Sequence, residues 1–241
     1  MNRALRIVLE CLPWLLLVGC MIATLNYPVF FEKTINAKDS VEGSGWIENL
    51  TVAWLVIGVV WGIFLLVAYW NRFRFPLLRI GVIVWILGCI YFAGEEVSWG
   101  QWYFQWQTPE ALREINYQKE TNLHNINSWF NEKPRTLVEF WMIFAGLIVP
   151  LLRKNGRMHF ARTDWREWIN PAGLGISTCV VFLLCKGLTK LGSPALVQLG
   201  RGELREMLTA YFLALFIISV HSKLRTEGIS ELEASSGSRP A

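Results

Sequence analysis

The segment Ile80–Trp99, IGVIVWILGCIYFAGEEVSW, decides how this chain folds. Its first part, Ile80–Tyr91, is uncharged and mostly apolar, which predicts a helix inside the hydrocarbon core of a membrane. The run then meets two adjacent carboxylates, Glu95 and Glu96. Ionisable groups at membrane depth are costly and commonly serve a function. The segment therefore predicts a membrane protein with a polar site at one end of a span.

Apolar residues are concentrated in runs along the whole chain. Of its 241 residues, 53% are hydrophobic and 17% are charged, compared with about 25% charged residues in an ordinary soluble domain. The runs predict an all-α polytopic membrane bundle of about six transmembrane helices at 1–222, followed by a disordered cytoplasmic tail at 223–241. The six runs are Ile7–Leu25, Leu50–Trp70, Ile80–Trp99, Thr136–Leu152, Gly173–Thr189 and Met207–Val220.

The basic residues predict the orientation of the bundle. With the N-terminus in the cytoplasm, the inner segments hold 13 lysines and arginines and the outer segments hold 9. The inner loops are also short and dense in positive charge. The positive-inside rule therefore favours both termini in the cytoplasm. The net charge of +4 needs no nucleic-acid partner to explain it.

The five cysteines all fall in predicted spans, and none forms a CxxC pair that would indicate a zinc or redox motif. Leu17-Val18-Gly19-Cys20 resembles the lipobox of bacterial lipoproteins. An uncleaved first span is the favoured interpretation, because small residues before a cysteine are common in such helices. Lipidation of Cys20 is the alternative.

The segment 100–135 predicts a helical cap on the outer face of the bundle. Thr108-Pro109-Glu110 has the residue types of a helix start, with threonine as the N-cap and proline at the first helical position. It predicts an amphipathic helix from Glu110 to about Gln118. Aromatic residues precede this helix, as expected where a chain leaves the bilayer. They are Trp102, Tyr103, Phe104 and Trp106.

Carboxylates mark the outer ends of the predicted spans. Glu48, Glu139 and Glu206 fall where spans two, four and six begin, so they are expected near helix N-termini. A negative charge is stabilised there by about 0.3–1 kcal/mol, so capping is the simplest interpretation of these three residues.

Glu95 and Glu96 have no such explanation, because their span ends where they stand and the helix dipole disfavours a negative charge there. At least one of them is expected to face the bundle interior and to be protonated, paired or bound to a metal. A structural ion pair with Lys186, the one lysine within a predicted span, is the alternative.

Glu120 and His124 lie four residues apart on a predicted helix, so their side chains are expected on one face. A carboxylate and an imidazole suit an acid–base pair or a metal site, and a surface salt bridge is the alternative. The candidate catalytic residues, and the ligands of a divalent metal if one is bound, are Glu95, Glu96, Glu120 and His124. The candidate substrate-binding residues are Trp99, Gln101, Asn116, Gln118, Asn125, Glu48, Glu206 and Lys186.

The motifs GEEVSWGQ, TPE and ETNLHN, in that order between residues 94 and 125, resemble a segment of uncharacterised polytopic bacterial membrane proteins. The resemblance is confined to this part of the chain. It implies a multi-pass protein of the bacterial inner membrane and no particular activity.

Three functions fit the sequence, and it does not choose between an enzyme and a scaffold. The first is a membrane-embedded enzyme that acts on a lipid or lipid-linked substrate at the outer face. The second is a structural component of a membrane complex, with another membrane protein as partner. The third is a proton-coupled transporter, which would need a polar path through the inner halves of the spans. The lipid bilayer is an expected partner in all three.

Overall fold

A computed structural model describes residues 1–35, 45–161, 163–171, 173–190 and 202–236. These residues form helices and loops without a strand, which confirms the predicted all-α fold. The helices are α1 (Arg3–Asn26), α2 (Pro28–Phe30), α3 (Trp46–Tyr69), α4 (Pro76–Glu96), α5 (Gln101–Phe104), α6 (Glu110–Ile115), α7 (Ser128–Ile143), α8 (Val149–Lys154), α9 (Trp165–Trp168), α10 (Ile176–Leu188) and α11 (Glu203–Ser236).

Five helical segments of the described chain are long and apolar enough to cross a membrane. The fifth predicted span is instead the short helix α10, whose 13 residues extend over only about 20 Å at 1.5 Å per residue. A π-helical segment, Phe144–Ile148, joins α7 to α8. The five segments are Arg3–Asn26, Trp46–Arg72, Pro76–Glu96, Glu132–Lys154 and Glu203–Thr226.

Helix α11 is the centre of the bundle. In its most apolar stretch 72% of the residues are buried, whereas the other four segments bury only 17–28%. The outward faces of those four segments carry many exposed apolar side chains, as expected for surfaces that contact lipid. Helices α3 and α10 pack against α11, and α4 packs against α3.

Small residues allow α3 and α4 to approach closely. Gly58 and Gly62 are both buried and lie one turn apart on α3. A Cβ atom at Gly62 would lie 2.8 Å from the side chain of Ile86 on α4, so a larger residue would force the helices apart. This spacing is the small-xxx-small pattern of membrane helix pairs.

Polar contacts hold α1 against α10 and α11. The carboxylate of Glu10 accepts hydrogen bonds from the backbone N–H groups of Gly175 and Ser177 at the start of α10. The hydroxyl of Tyr211 donates to the carbonyl of Leu9 at 2.7 Å. Cys20 itself is buried. These contacts place the segment before Cys20 within the bundle.

Two predicted helix boundaries differ from the structure. Helix α4 ends at Glu96, not at Trp99, and the cap helix ends at Ile115, not near Gln118. Thr108 is not its N-cap: the Thr108 hydroxyl donates to the carbonyl of Lys119 at 2.8 Å, and thereby ties the two ends of the cap together.

The backbone of α11 is helical to Ser236, so the structure differs from the sequence prediction at residues 223–236, which were expected to belong to a disordered tail. Residues 237–241 lie outside the described part of the chain. So do residues 36–44 and 191–201, which belong to two of the predicted outer loops.

We predict that Glu10→Ala lowers the stability of the bundle by about 1–2 kcal/mol, because two backbone N–H groups at the start of α10 lose their acceptor. For a chain of this size each kcal/mol corresponds to roughly 2–4 °C in Tm, which a thermal unfolding experiment in detergent resolves. Ser177→Ala is the matched control, since only the backbone N–H of Ser177 contacts Glu10. Equal melting temperatures for Glu10→Ala and the wild type would contradict the interpretation.

Candidate functional site

A cavity of ≈ 240 Å³ lies at the end of the bundle where α3 and α11 begin and α4 ends. All four candidate catalytic residues line it, although they come from α4 and from a loop after α6. Apolar side chains of α3 and α11 form its inner wall, and three aromatic residues also line it, Tyr91, Phe92 and Trp102. The ionisable lining residues are Glu48, Glu95, Glu96, Glu120, His124, Arg135, Glu203 and Glu206.

A sharp turn directly after α4 shapes one side of the site. Ser98, Trp99 and Gly100 have φ values of 47°, 56° and 97°, in the left-handed region that costs a non-glycine residue about 1–2 kcal/mol. The turn folds the Trp99 ring back onto Gly94, where a Cβ atom would lie 2.8 Å from the ring. Gly100 is the sequence signal for this turn, and its φ of 97° explains why the helix does not continue to Trp99.

Glu95 is the most heavily bonded side chain of the site. It is 5% exposed, and its Oε1 accepts from the indole N–H of Trp99 at 2.7 Å. Its Oε2 accepts from the backbone N–H groups of Leu123 and His124 at 2.8 and 2.7 Å. The Nδ1 atom of His124 lies 3.2 Å from the same oxygen. With these contacts Glu95 fixes the loop and the imidazole ring, so we assign it as a positioning residue.

His124 presents one free nitrogen to the cavity. Because an ionised carboxylate only accepts hydrogen bonds, Nδ1, which faces Glu95, is assigned as the protonated nitrogen and Nε2 as the acceptor. Among the described residues Nε2 has no hydrogen-bond partner. His221, at the opposite end of the bundle, differs, since Trp61 and Tyr69 contact both of its ring nitrogens. An imidazole oriented by a carboxylate, with Nε2 free, can transfer a proton or bind a metal.

Glu120 reaches the cavity through a second network. Its Oε2 accepts from the Ser98 hydroxyl at 2.9 Å and from the side-chain amide of Asn122 at 2.7 Å. The same amide donates to the Ser98 oxygen at 3.0 Å. Ser98 and Asn122 are each 1% exposed. This network binds the loop to the turn after α4, and Ser98 is not among the described residues that line the cavity.

The prediction that Glu120 and His124 share a helix face is wrong, because the chain from 116 to 127 forms a loop. The side chain of Asn116 replaces the helical hydrogen bonds: its Oδ1 accepts from the backbone N–H groups of Gln118 and Glu120 at 3.0 and 3.2 Å. Asparagine competes with helix formation in this way. Lys119, with φ of 61°, completes the change of direction.

Three carboxylates meet beside the cavity, those of Glu96, Glu203 and Glu206. One oxygen of each lies within 4.8 Å of the other two, a spacing that can hold a metal ion. Glu203 and Glu206 are both in the first turn of α11. Glu203 was not predicted as a site residue, because the sequence places it in an outer loop at 190–206. Its i,i+3 spacing from Glu206 was the available signal.

Arg135 on α7 was also missed. Its Nε donates to Glu139 at 3.1 Å, and its Nη1 donates to Glu206. Lys186 pairs with Glu139 at 3.4 Å, so the alternative, an ion pair between Lys186 and Glu95 or Glu96, is wrong. Glu139 does not cap a helix either. It is the twelfth residue of α7, and the two cations balance its charge.

The predicted substrate-binding residues divide into two groups. Four line the cavity, namely Glu48, Gln118, Asn125 and Glu206. The others do not, namely Trp99, Gln101, Asn116 and Lys186. Of these, Gln101 holds the loop, because its Oε1 accepts from the backbone N–H of Thr121 at 2.7 Å. Its side-chain amide donates to Thr108 at 2.9 Å.

No family model, curated protein or solved structure matches this chain. The function of the cavity must therefore follow from the chemistry of its own residues.

We predict that Glu95→Gln loosens the loop 116–127, because an amide N–H group would then face donors that now meet a carboxylate oxygen. Hydrogen bonds to charged groups contribute about 1.5–3 kcal/mol each, so the backbone amides of Leu123 and His124 should exchange hydrogen at least ~10-fold faster. Hydrogen-exchange mass spectrometry measures this. Glu110→Gln, on the exposed surface of α6, is the control. Unchanged protection in Glu95→Gln would show that Glu95 does not hold the loop.

Proposed function

We propose that this integral membrane protein is an enzyme that acts on a lipid or lipid-linked substrate in the cavity. His124 transfers the proton, and Glu95 positions it. The observation that carries the proposal is the convergence, on one cavity, of a carboxylate-oriented imidazole with a free Nε2 and several further carboxylates. Perturbed or paired ionisable groups in a pocket are a physical indication of an active site.

The chemistry proposed for His124 is general acid–base catalysis. Its Nε2 accepts a proton from a water molecule or a substrate hydroxyl and returns it to the leaving group. A positioned acid–base group of this kind contributes about 10²–10⁴-fold to a rate. Ser98 is buried and is not among the described residues that line the cavity, so in this proposal the attacking group comes from water or from the substrate.

The position of the cavity supports a substrate with an apolar anchor. The cavity lies where apolar helices end, and Trp102, Tyr91 and Phe92 line it beside the carboxylates. Aromatic side chains of this kind are common at the level of lipid headgroups. A headgroup can therefore occupy the cavity while its hydrocarbon chains stay among the exposed apolar faces of the bundle.

The inner wall of the cavity gives no support to the transporter alternative. Leu55 and Leu213 lie at its inner side, and both belong to an apolar cluster that continues through Cys89 and Trp85. Among the described residues no chain of polar side chains leads from the cavity through this cluster. A carrier would need one.

One observation favours a second candidate, a structural role in a membrane complex. Arg135 joins Glu139 to Glu206, and Glu95 and Glu120 each accept several hydrogen bonds. These contacts stabilise the fold whether or not a reaction occurs. The two candidates differ at His124, because packing makes no use of a free Nε2.

We predict that expression of the wild-type chain changes the lipid composition of a bacterial host and that His124→Gln abolishes the change. Loss of the proton-transfer group should slow the reaction by about 10²-fold or more, so a lipid that the wild type forms should not accumulate and a lipid that it consumes should not be depleted. Untargeted lipid mass spectrometry of membranes with equal amounts of each variant measures it. The control is His159→Gln, because His159 is exposed and lies at the end of the bundle opposite the cavity. Identical lipid profiles for wild type and His124→Gln would favour the structural candidate.

We also propose that the cavity faces the outside of a bacterial inner membrane, with both termini in the cytoplasm. Basic side chains support this, since Arg153 and Lys223 both contact Glu167 at the end of the bundle opposite the carboxylates. Positively charged segments are retained on the cytoplasmic side.

Cysteine labelling in intact cells tests this orientation. Glu110→Cys and Arg157→Cys place thiols at exposed positions near the two ends of the bundle. A membrane-impermeant maleimide should label the first variant before lysis and the second only after it. The opposite pattern would reverse the orientation.

A further inference from the structure

We propose that Glu96, Glu203 and Glu206 bind a divalent metal ion of the hard class, such as Mg²⁺, Mn²⁺ or Ca²⁺. The inference adds a cofactor to the proposed enzyme, but it rests on the geometry of these side chains and is tested by binding alone. The three carboxylate oxygens already lie within 4.8 Å of one another. Hard cations bind oxygen at about 2.0–2.6 Å, so oxygens on one ion lie at most about 4–5 Å apart. The three residues can therefore close on one ion without movement of the helices.

The state of Glu96 is an independent indication of a ligand. Protein encloses this side chain except where it lines the cavity. Among the described residues it has no hydrogen bond and no ion pair. A half-buried carboxylate with no partner at the membrane end of a bundle is costly unless a proton or a cation accompanies it.

The charges around Glu96 favour a cation over any other ligand. Among the described residues, six glutamates line the cavity, and the basic lining residues are Arg135 and His124. Arg135 is shared between Glu206 and Glu139, and His124 is held by Glu95. An anionic group would meet repulsion here, whereas a divalent ion would offset the mutual repulsion of the three carboxylates.

The donor atoms select the class of metal. Carboxylate oxygens suit Mg²⁺, Mn²⁺ and Ca²⁺, whereas copper and structural zinc sites use imidazole or thiolate ligands. Three protein oxygens leave the remaining coordination positions to water or substrate. The cavity provides that space next to Glu96 and Glu206, and Thr209 adds a hydroxyl to its lining.

The test is Mn²⁺ binding to chelator-treated protein in phosphatidylcholine nanodiscs, followed by electron paramagnetic resonance. We expect one saturable Mn²⁺ site per chain, from which Mg²⁺ or Ca²⁺ displaces the ion. Glu96→Gln and Glu203→Gln should each weaken binding at least ~10-fold. The Glu110→Gln control should bind like the wild type. Absence of saturable binding to the wild type, or full binding by a Glu96→Gln/Glu203→Gln double variant, would overturn the proposal.

Two further measurements keep the test decisive. If a glutamine variant does not fold, the wild type alone decides. A divalent ion that binds the folded chain raises Tm further as its concentration increases above its Kd, whereas K⁺ at the same ionic strength does not. Stabilisation by ethanolamine or choline, and not by any divalent ion, would identify a pocket for an organic ammonium group and reject the metal site.

His124→Gln separates this inference from the proposed enzyme, because His124 is not among the three ligands. The variant should bind Mn²⁺ like the wild type even though its lipid profile changes. Normal Mn²⁺ binding together with lipid profiles that do not depend on His124 would leave the metal site standing without the enzyme. Absence of Mn²⁺ binding together with lipid profiles that depend on His124 would reject the metal site and support acid–base catalysis.

Discussion

The site depends on the hydrogen bonds that the Glu95 carboxylate accepts. Trp99 bonds to one of its oxygens, and the backbone of Leu123 and His124 bonds to the other. These contacts join the end of α4, the strained turn that follows it and a loop more than twenty residues further along the chain. Ser98 and Gln101 also hold this loop, but the contacts of Glu95 are the ones that orient the ring of His124.

The charged groups of the cavity separate into those that build it and those that it offers to a ligand. Glu95 and Glu120 are consumed by hydrogen bonds within the fold, whereas Arg135 contacts only one oxygen of Glu206. Glu96 and the Nε2 atom of His124 are the groups that the described fold does not use. Their proximity to an apolar wall and to aromatic side chains explains why we assign the cavity to a lipid headgroup.

Much of the fold follows from the sequence, because apolar runs of sufficient length have few alternatives to membrane helices. Glu95 and Glu96 were also identifiable from the sequence as candidate site residues, since a helix C-terminus disfavours their negative charge. The route of the loop was not predictable in the same way. Asn116 ends the helical pattern with side-chain hydrogen bonds, and local propensity does not reveal when such competition succeeds.

Arg135 and Glu203 were missed for a different reason. Each lies in a segment that the sequence assigns to a polar loop, where charge needs no explanation. Only the packing of α7 and α11 around the end of α4 brings them to the cavity. Long-range convergence of this kind is a property of the tertiary structure, and no spacing within one segment encodes it.

Nitrogen NMR of isotopically labelled histidine measures which ring nitrogen of His124 carries the proton, on which the proposed chemistry depends. The chain has three histidines, and a His124→Asn sample assigns the signal of His124. At a pH where the rings are neutral, we expect His124 to carry its proton on Nδ1, which donates to Glu95, and to leave Nε2 unprotonated. We expect Glu95→Gln to abolish this preference. A proton on Nε2 in the wild type, or a signal that does not respond to Glu95→Gln, would contradict the account.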